Sequence, residues 1–199
     1  MSEQNEKAVN VLHIGATLPE MKLNVYHPKK DDIIDIETKS LRGKWAVFMF
    51  YPADFTFVCP TELEEMAELY EEIAKEGAEV LSVSTDTSFA HKAWHDNSPA
   101  IKKVQFPMVG DPTGVLTKLF NVYINEEGLA LRGTFIVDPD GVLRTMEIHD
   151  NAIGRSAKET LRKLRAAKFV REHGGNVCPA AWEPGEETLQ PGIKLVGKI

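Results

Sequence analysis

The apolar positions change period several times along the chain, and each change predicts an element. Trp45-Ala-Val-Phe-Met-Phe-Tyr51 is continuously apolar and aromatic, the pattern of a central strand buried on both faces. The segment Pro52-Ala-Asp-Phe-Thr-Phe-Val breaks that run and reads as a loop. Over residues 60–75 the period lengthens to that of a helix. Leu63, Met66, Ala67, Tyr70, Ile73 and Ala74 fall on one stripe, with Glu62, Glu64, Glu65, Glu68, Glu71 and Glu72 off it, until Gly77 stops the helix. Residues 79–84 return to strand, which predicts a strand–helix–strand unit with a right-handed parallel crossover. A further helix is expected over 87–96, and a short one over 115–120 entered through Asp111-Pro-Thr-Gly114. Residues 133–137 and 142–148 alternate as strands about Asp138-Pro-Asp-Gly141, a turn in which Pro pre-sets φ and Gly supplies a positive φ. The last long helix opens at Ser156, whose spacing to Glu159 makes a capping box. Leu161 and Leu164 lie on its inner face, and Gly174-Gly175 ends it. Residues 176–199 then shift to Pro, Gly and short apolar groups. The expected fold class is α/β, a mixed central sheet flanked by helices over residues 1–173, with a C-terminal arm over 174–199.

Composition narrows the functions available. The 199 residues are 43% hydrophobic and 27% charged, enough apolar material to form a core without disulfide staples or a structural metal. A net charge of −7 argues against nucleic acid or an anionic membrane as main partner. A small neutral or weakly charged substrate fits better. There is no internal repeat. The polar first ten residues do not read as a signal peptide, so none is expected, and the apolar run at 45–51 is about a third of a membrane span. The expected compartment is therefore the cytosol, where structural disulfides are uncommon. The two cysteines are then either inert small hydrophobes or reactive centres.

Cys59 stands where loop hands over to helix, with Pro60 expected at the first helical position. The sulfur would face unpaired backbone N–H groups and the positive end of the helix dipole, both of which favour a thiolate. Glu62, Glu64 and Glu65 crowd the same turn and oppose this, so a cation is required, Arg132 first and Arg155 second. Glu62 is spaced to reach back as a capping partner and to hold an arginine. Thr56 places a hydroxyl on the loop before the sulfur, able to accept from a hydroperoxide while Arg132 and backbone N–H groups stabilise the departing oxygen. A loop threonine with no chemistry is the plain alternative.

These residues carry a resemblance. Pro52-Ala-Asp-Phe-Thr-Phe-Val-Cys59-Pro-Thr-Glu62 resembles the peroxiredoxin active-site signature. Gly110-Asp-Pro-Thr-Gly114, Arg132-Gly-Thr-Phe-Ile-Val-Asp138 and Asn176-Val-Cys-Pro-Ala-Ala-Trp182 look like later family landmarks in the right order. Within the two-cysteine branch the chain is similar to the bacterial alkyl hydroperoxide reductase C subunits, down to the closing Leu195-Val-Gly-Lys-Ile199. The resemblance implies a thioredoxin-like fold, a peroxidatic Cys59 and peroxide binding by Thr56 and Arg132. Pro52 would shield the sulfur, with Glu62 and Arg155 supporting the charge network. It also implies a resolving Cys178, favouring Cys178 of a partner subunit, although sequence leaves an intrachain bond open. No cofactor is implied, since electrons would arrive by thiol exchange from a flavoprotein disulfide reductase, a thioredoxin or a glutaredoxin-like donor. Homodimers pairing edge strands at 142–148 and assembling into a decamer are expected. Family members prone to over-oxidation carry Gly-Gly-Leu-Gly and a terminal Tyr-Phe. Here Glu126-Glu-Gly-Leu-Ala130 stands instead and no Tyr-Phe follows, so resistance is expected.

Other constellations weigh less. His91 and His95 have a zinc-compatible spacing, but no catalytic Glu or third ligand, and read as surface or packing residues. A cysteine hydrolase would need a base such as His149 beside Cys59, and a dithiol oxidoreductase a second thiol in Cys59-Pro-Thr-Glu62. The seven Lys and Arg of residues 155–171 read as a solvated face. Trp45, Trp94 and Trp182 read as core or interface anchors. The rival from another class is a redox-switched chaperone that uses the thiols as its sensor.

Overall fold

The computed structural model describes residues 11–198; the polar first ten residues and Ile199, on which the readings of a missing signal peptide and of the last residue fall, lie outside the described residues. A hairpin opens the fold, β1 (Lys22–His27) and β2 (Asp32–Glu37). Then come β3 (Trp45–Phe50), α1 (Cys59–Lys75), β4 (Ala78–Ser84), α2 (Ser88–Asn97), β5 (Met108–Gly110) and α3 (Val115–Leu119). A small ladder of β6 (Tyr123–Ile124) and β7 (Leu129–Ala130) precedes β8 (Arg132–Val137), β9 (Leu143–His149) and α4 (Ala157–Glu172). Seven strands form one sheet in the order β2-β1-β5-β4-β3-β8-β9. β3, β4 and β5 run parallel, and the remaining neighbours pair antiparallel. The arrangement is a mixed α/β sheet of the thioredoxin-like kind.

The strand expected at 45–51 is central, and every residue of β3 is buried. Phe50, Phe120 and Phe135 pack edge to face or tilted, with centroids 4.7 to 5.5 Å apart. Each such ring contributes about 1.5–3 kcal/mol by leaving water. This packing joins β3 to β8, in antiparallel register with Met49 opposite Thr134. The exit of β3 and the entry of β8 therefore share one end of the sheet. β4, parallel to β3, leaves at that end too. Gly133 sits where a Cβ would lie 2.6 Å from the Phe135 ring and 2.9 Å from Val122, so no larger residue fits beside Arg132. Gly141 closes the β8–β9 turn at φ +75°, as its sequence predicts.

Three expectations at this level need correction. The α1 stripe omits Ala74, which is exposed, and includes Glu62, which is buried. Cys59 rather than Pro60 is the first helical residue. The β1–β2 hairpin carries no strong period, because β2 is largely exposed or half-buried on both faces, and it was not foreseen.

The described chain divides into two compact units, one ending at Arg155 and the other beginning at Ser156. In the second, the Ser156 hydroxyl accepts from the Glu159 N–H at 3.4 Å and α4 ends at Glu172, just before the two glycines. Beyond it Val177 and Leu189 exchange two backbone hydrogen bonds of 2.9 and 3.1 Å, closing a loop whose anchor is Trp182 on Phe169. None of the helices described is long and apolar enough to cross a membrane.

Candidate active site

The shared sheet end gathers three contributions. Cys59 opens α1 after the loop that leaves β3, and its side chain is fully buried. Arg132 opens β8 and brings Nη1 to 3.3 Å from the Cys59 sulfur. The same nitrogen donates to Glu62 Oε2 at 2.8 Å, and Nε donates to the Asn151 carbonyl at 2.9 Å. Arg155 closes the network. Its backbone N–H and Nε donate to Glu62 Oε1 at 2.7 and 2.9 Å, and Nη2 to Oε2 at 3.0 Å. Its Nη1 donates to the Gly133 carbonyl at 2.7 Å and to Thr134 Oγ1 at 3.2 Å.

This geometry answers the objection raised by the acidic first turn. Glu62 turns inward, three residues from Cys59 on the same face, and meets two guanidiniums instead of capping the helix. Burial pushes its carboxyl up, but the hydrogen bonds and charge of Arg155, with the charge of Arg132, outweigh that and hold it below the usual range. One carboxylate against two arginines leaves a net positive surround for the sulfur. Glu64 points elsewhere, to Lys103 at 2.6 Å. Arg155, the looser of the two expected arginines, is the more fully engaged.

Thr56 is half-buried and donates its hydroxyl proton to the Ala53 carbonyl at 2.9 Å, which leaves its oxygen an acceptor. Pro52 is buried at the end of the strand. What sequence reasoning missed is the anchor of this loop. The Asp54 carboxylate accepts from Tyr51 Oη and His91 Nδ1, both at 2.8 Å, while the Asp54 N–H donates to Asp86 at 2.9 Å. His91 Nε2 meets the Val109 carbonyl at 3.0 Å. His91 and His95 are thus packing residues, His95 hydrogen-bonding Tyr26 and Val104, and no metal-holding cluster exists among the described residues. The signal was faint: one aspartate inside an aromatic loop, and a histidine beyond a whole helix and a strand.

His149 pairs with Glu147 at 2.8 Å. Trp45, Trp94 and Trp182 are all buried. Both cysteines are free thiols, Cys59 buried and Cys178 partly exposed. Burial pushes the Cys178 thiol up, partly opposed by the charge of Arg162.

Residues 14–146 match the model of the AhpC/TSA family, and residues 166–194 match the C-terminal domain of 1-Cys peroxiredoxin. The chain is 54% identical to an alkyl hydroperoxide reductase C of Staphylococcus saprophyticus over 176 residues, 88% of this chain and 93% of that one. It is 54% identical to one from Pseudomonas aeruginosa over 186 residues, 94% and 98% of the two chains. Among solved structures it superposes on Enterococcus faecalis AhpC with a TM-score of 0.81 at 44% identity, covering 85% of this chain and 100% of that one. A reduced 2-Cys peroxiredoxin of Plasmodium vivax gives a TM-score of 0.86 at 28% identity, covering 91% and 94%.

Proposed function

The chain belongs to the AhpC/TSA family and is a peroxide-reducing oxidoreductase of the two-cysteine peroxiredoxin type, and on that premise we propose that Cys59 is the sulfur its peroxide meets. The observation that carries this assignment is the buried Cys59 sulfur 3.3 Å from Arg132, with the nearest carboxylate already neutralised. The Cys59 thiolate attacks one peroxide oxygen, an S–O bond forms as the O–O bond breaks, and the departing oxygen leaves as water or an alcohol after taking a proton. Arg132 stabilises the charge that gathers on that oxygen, while Thr56 accepts from the hydroperoxide O–H. Pro52 shields the sulfur, and Glu62 with Arg155 holds Arg132 in place.

The resulting sulfenic acid is resolved by Cys178, with the partner subunit's Cys178 as the proposed source. The disulfide is reopened by a flavoprotein disulfide reductase or a thioredoxin- or glutaredoxin-like donor, with no bound cofactor. Hydrogen peroxide and organic hydroperoxides are the proposed substrates, and protection against them the proposed role. The division into a catalytic domain over 1–173 and an arm over 174–199 is a functional one, the arm carrying the second thiol. A reducing compartment, the cytoplasm, suits an enzyme recycled by thiol exchange. β9 lies at the sheet edge with Met146 and Ile148 exposed, which supports edge pairing into a homodimer. Exposed Phe55, Phe57 and Phe89 support further assembly into a decamer.

The test is peroxide consumption coupled to each purified donor, run on the parent protein, Cys59→Ser and Cys178→Ser. Loss of turnover in the Cys59 variant is expected; full activity there would overturn the mechanism. The Cys178 variant is expected to form sulfenic acid once and stall.

A further inference from the structure

The segment leading from β9 to Arg155 presents two backbone groups to the ion network from one short turn. β9 runs antiparallel to β8 with His149 opposite Arg132, so the chain that follows His149 starts beside that arginine. Asp150 closes the turn. Its Oδ1 accepts from the Ala152 N–H at 2.8 Å, and its carbonyl accepts from the Ile153 N–H at 3.0 Å. Aspartate suits this place, because its short carboxylate reaches a backbone N–H two residues on and mimics a turn of the main chain. Inside the turn the Asn151 carbonyl accepts from Arg132 Nε at 2.9 Å. Beyond it the Arg155 N–H donates to Glu62 Oε1 at 2.7 Å. Between these two contacts, a Cβ placed on Gly154 would meet the Val58 side chain at 3.5 Å, ordinary contact with the residue before Cys59.

The two arginines use Glu62 differently. Arg155 grips both carboxylate oxygens, Nε on Oε1 and Nη2 on Oε2. Arg132 gives the carboxylate a single nitrogen, Nη1, and that nitrogen also reaches the Cys59 sulfur at 3.3 Å. Its Nε is turned to the Asn151 carbonyl instead. An unconstrained guanidinium favours the two-pronged pairing with a carboxylate. The Asn151 carbonyl holds Arg132 out of that pairing and keeps Nη1 on the sulfur. A backbone carbonyl does this only where its turn is fixed.

We propose that Asp150 is a positioning residue for Arg132: its side chain closes the 150–153 turn, the turn aims the Asn151 carbonyl at Nε, and the carbonyl sets the guanidinium against the Cys59 sulfur. This rests on the reading of Cys59 as the sulfur that attacks peroxide. Without the Asp150 bond the turn loosens, the Nε anchor wanders and Arg132 swings towards Glu62. Its donor then misses the peroxide oxygen on which charge gathers. A misplacement of about 1 Å in such a group costs on the order of 10²-fold in rate.

The experiment measures the second-order rate of the reduced protein with hydrogen peroxide, by competition with a peroxide-reactive dye. The proteins are the parent, Asp150→Ala, Asp150→Asn, Arg132→Met, the Asp150→Ala/Arg132→Met double variant and Cys59→Ser. Asp150→Ala is expected to react about 10- to 100-fold more slowly than the parent. An Asn amide oxygen accepts the same N–H, so Asp150→Asn is expected to recover most of the rate. Once Arg132 is gone the turn has nothing to aim. In the Arg132→Met background, Asp150→Ala is therefore expected to change the rate by less than about twofold. A prop of the fold would slow both backgrounds alike. Equal slowing with and without Arg132, a parent-like rate in Asp150→Ala, or an Asn variant as slow as the Ala variant overturns the proposal. Asp150 is exposed, and circular dichroism with melting temperature excludes a misfolded variant. Undiminished reaction in Cys59→Ser would instead sink the reading of Cys59 on which the proposal rests.

Discussion

At the scale of the residue, Glu62 decides whether Cys59 has an anion or a cation beside it. Both arginines converge on its two oxygens, so the fragment Glu62–Arg132–Arg155 acts as one group. Arg132→Met is expected to slow the second-order reaction of Cys59 with peroxide by about 10²–10³-fold, the loss typical of a donor aimed at developing oxyanion charge. Competition with a peroxide-reactive dye would measure it. Arg155→Met leaves Glu62 buried with one partner fewer and is expected to cost about 3–5 kcal/mol of stability, read from urea unfolding. Glu62 also sets an acid limit. Its folded carboxyl is held below its ordinary value of 4.5, so its contribution to stability is complete above that value. The contribution is lost as pH falls through the lower, folded value. Melting temperature is therefore expected to drop below pH 4.5 in the parent protein and to do so less steeply in Glu62→Gln.

At the scale of the element, legibility followed burial. β3 and α1 were readable because burial on two faces, or on one stripe, leaves a period in the sequence, and the Cys59–Pro60 junction marked the start of α1 within one residue. The β1–β2 hairpin was not, since exposed strands need no apolar alternation. Glu62 was assigned to the wrong face by the same logic, because a carboxylate enters the interior only when cations 70 and 93 residues away meet it there. The loop between β3 and α1 was read as a loop, but its anchor was invisible: Asp54 meets His91 across 37 residues of chain. Asp54→Ala strips the acceptor from two buried donors, Tyr51 Oη and His91 Nδ1. The expected cost is about 3–5 kcal/mol in thermal or urea unfolding, with slower peroxide reaction as the loop loosens. A variant as stable as the parent would show that the loop is held by packing instead.

At the scale of the whole molecule, the open question for the surface is what covers it. Phe57 is 93% exposed and Phe89 74%, on a protein of net charge −7. On the proposed assembly, Phe57→Glu is expected to shift sedimentation from a decamer to a dimer, while Ile148→Lys on the β9 edge is expected to act on the proposed dimer itself. The sheet end that joins Cys59 to Arg132 carries a consequence of its own. Cys59, the proposed nucleophile, and Glu62, the counter-ion of the arginines, ride on one helical turn, three residues apart. If that turn unwound for the proposed resolution of an oxidised Cys59, Glu62 would leave with it and the Arg132 and Arg155 guanidiniums would lose their shared counter-ion. The same ion pairs that hold the site closed would then favour rewinding of the turn once the proposed disulfide is reduced, an electrostatic reset for the next peroxide.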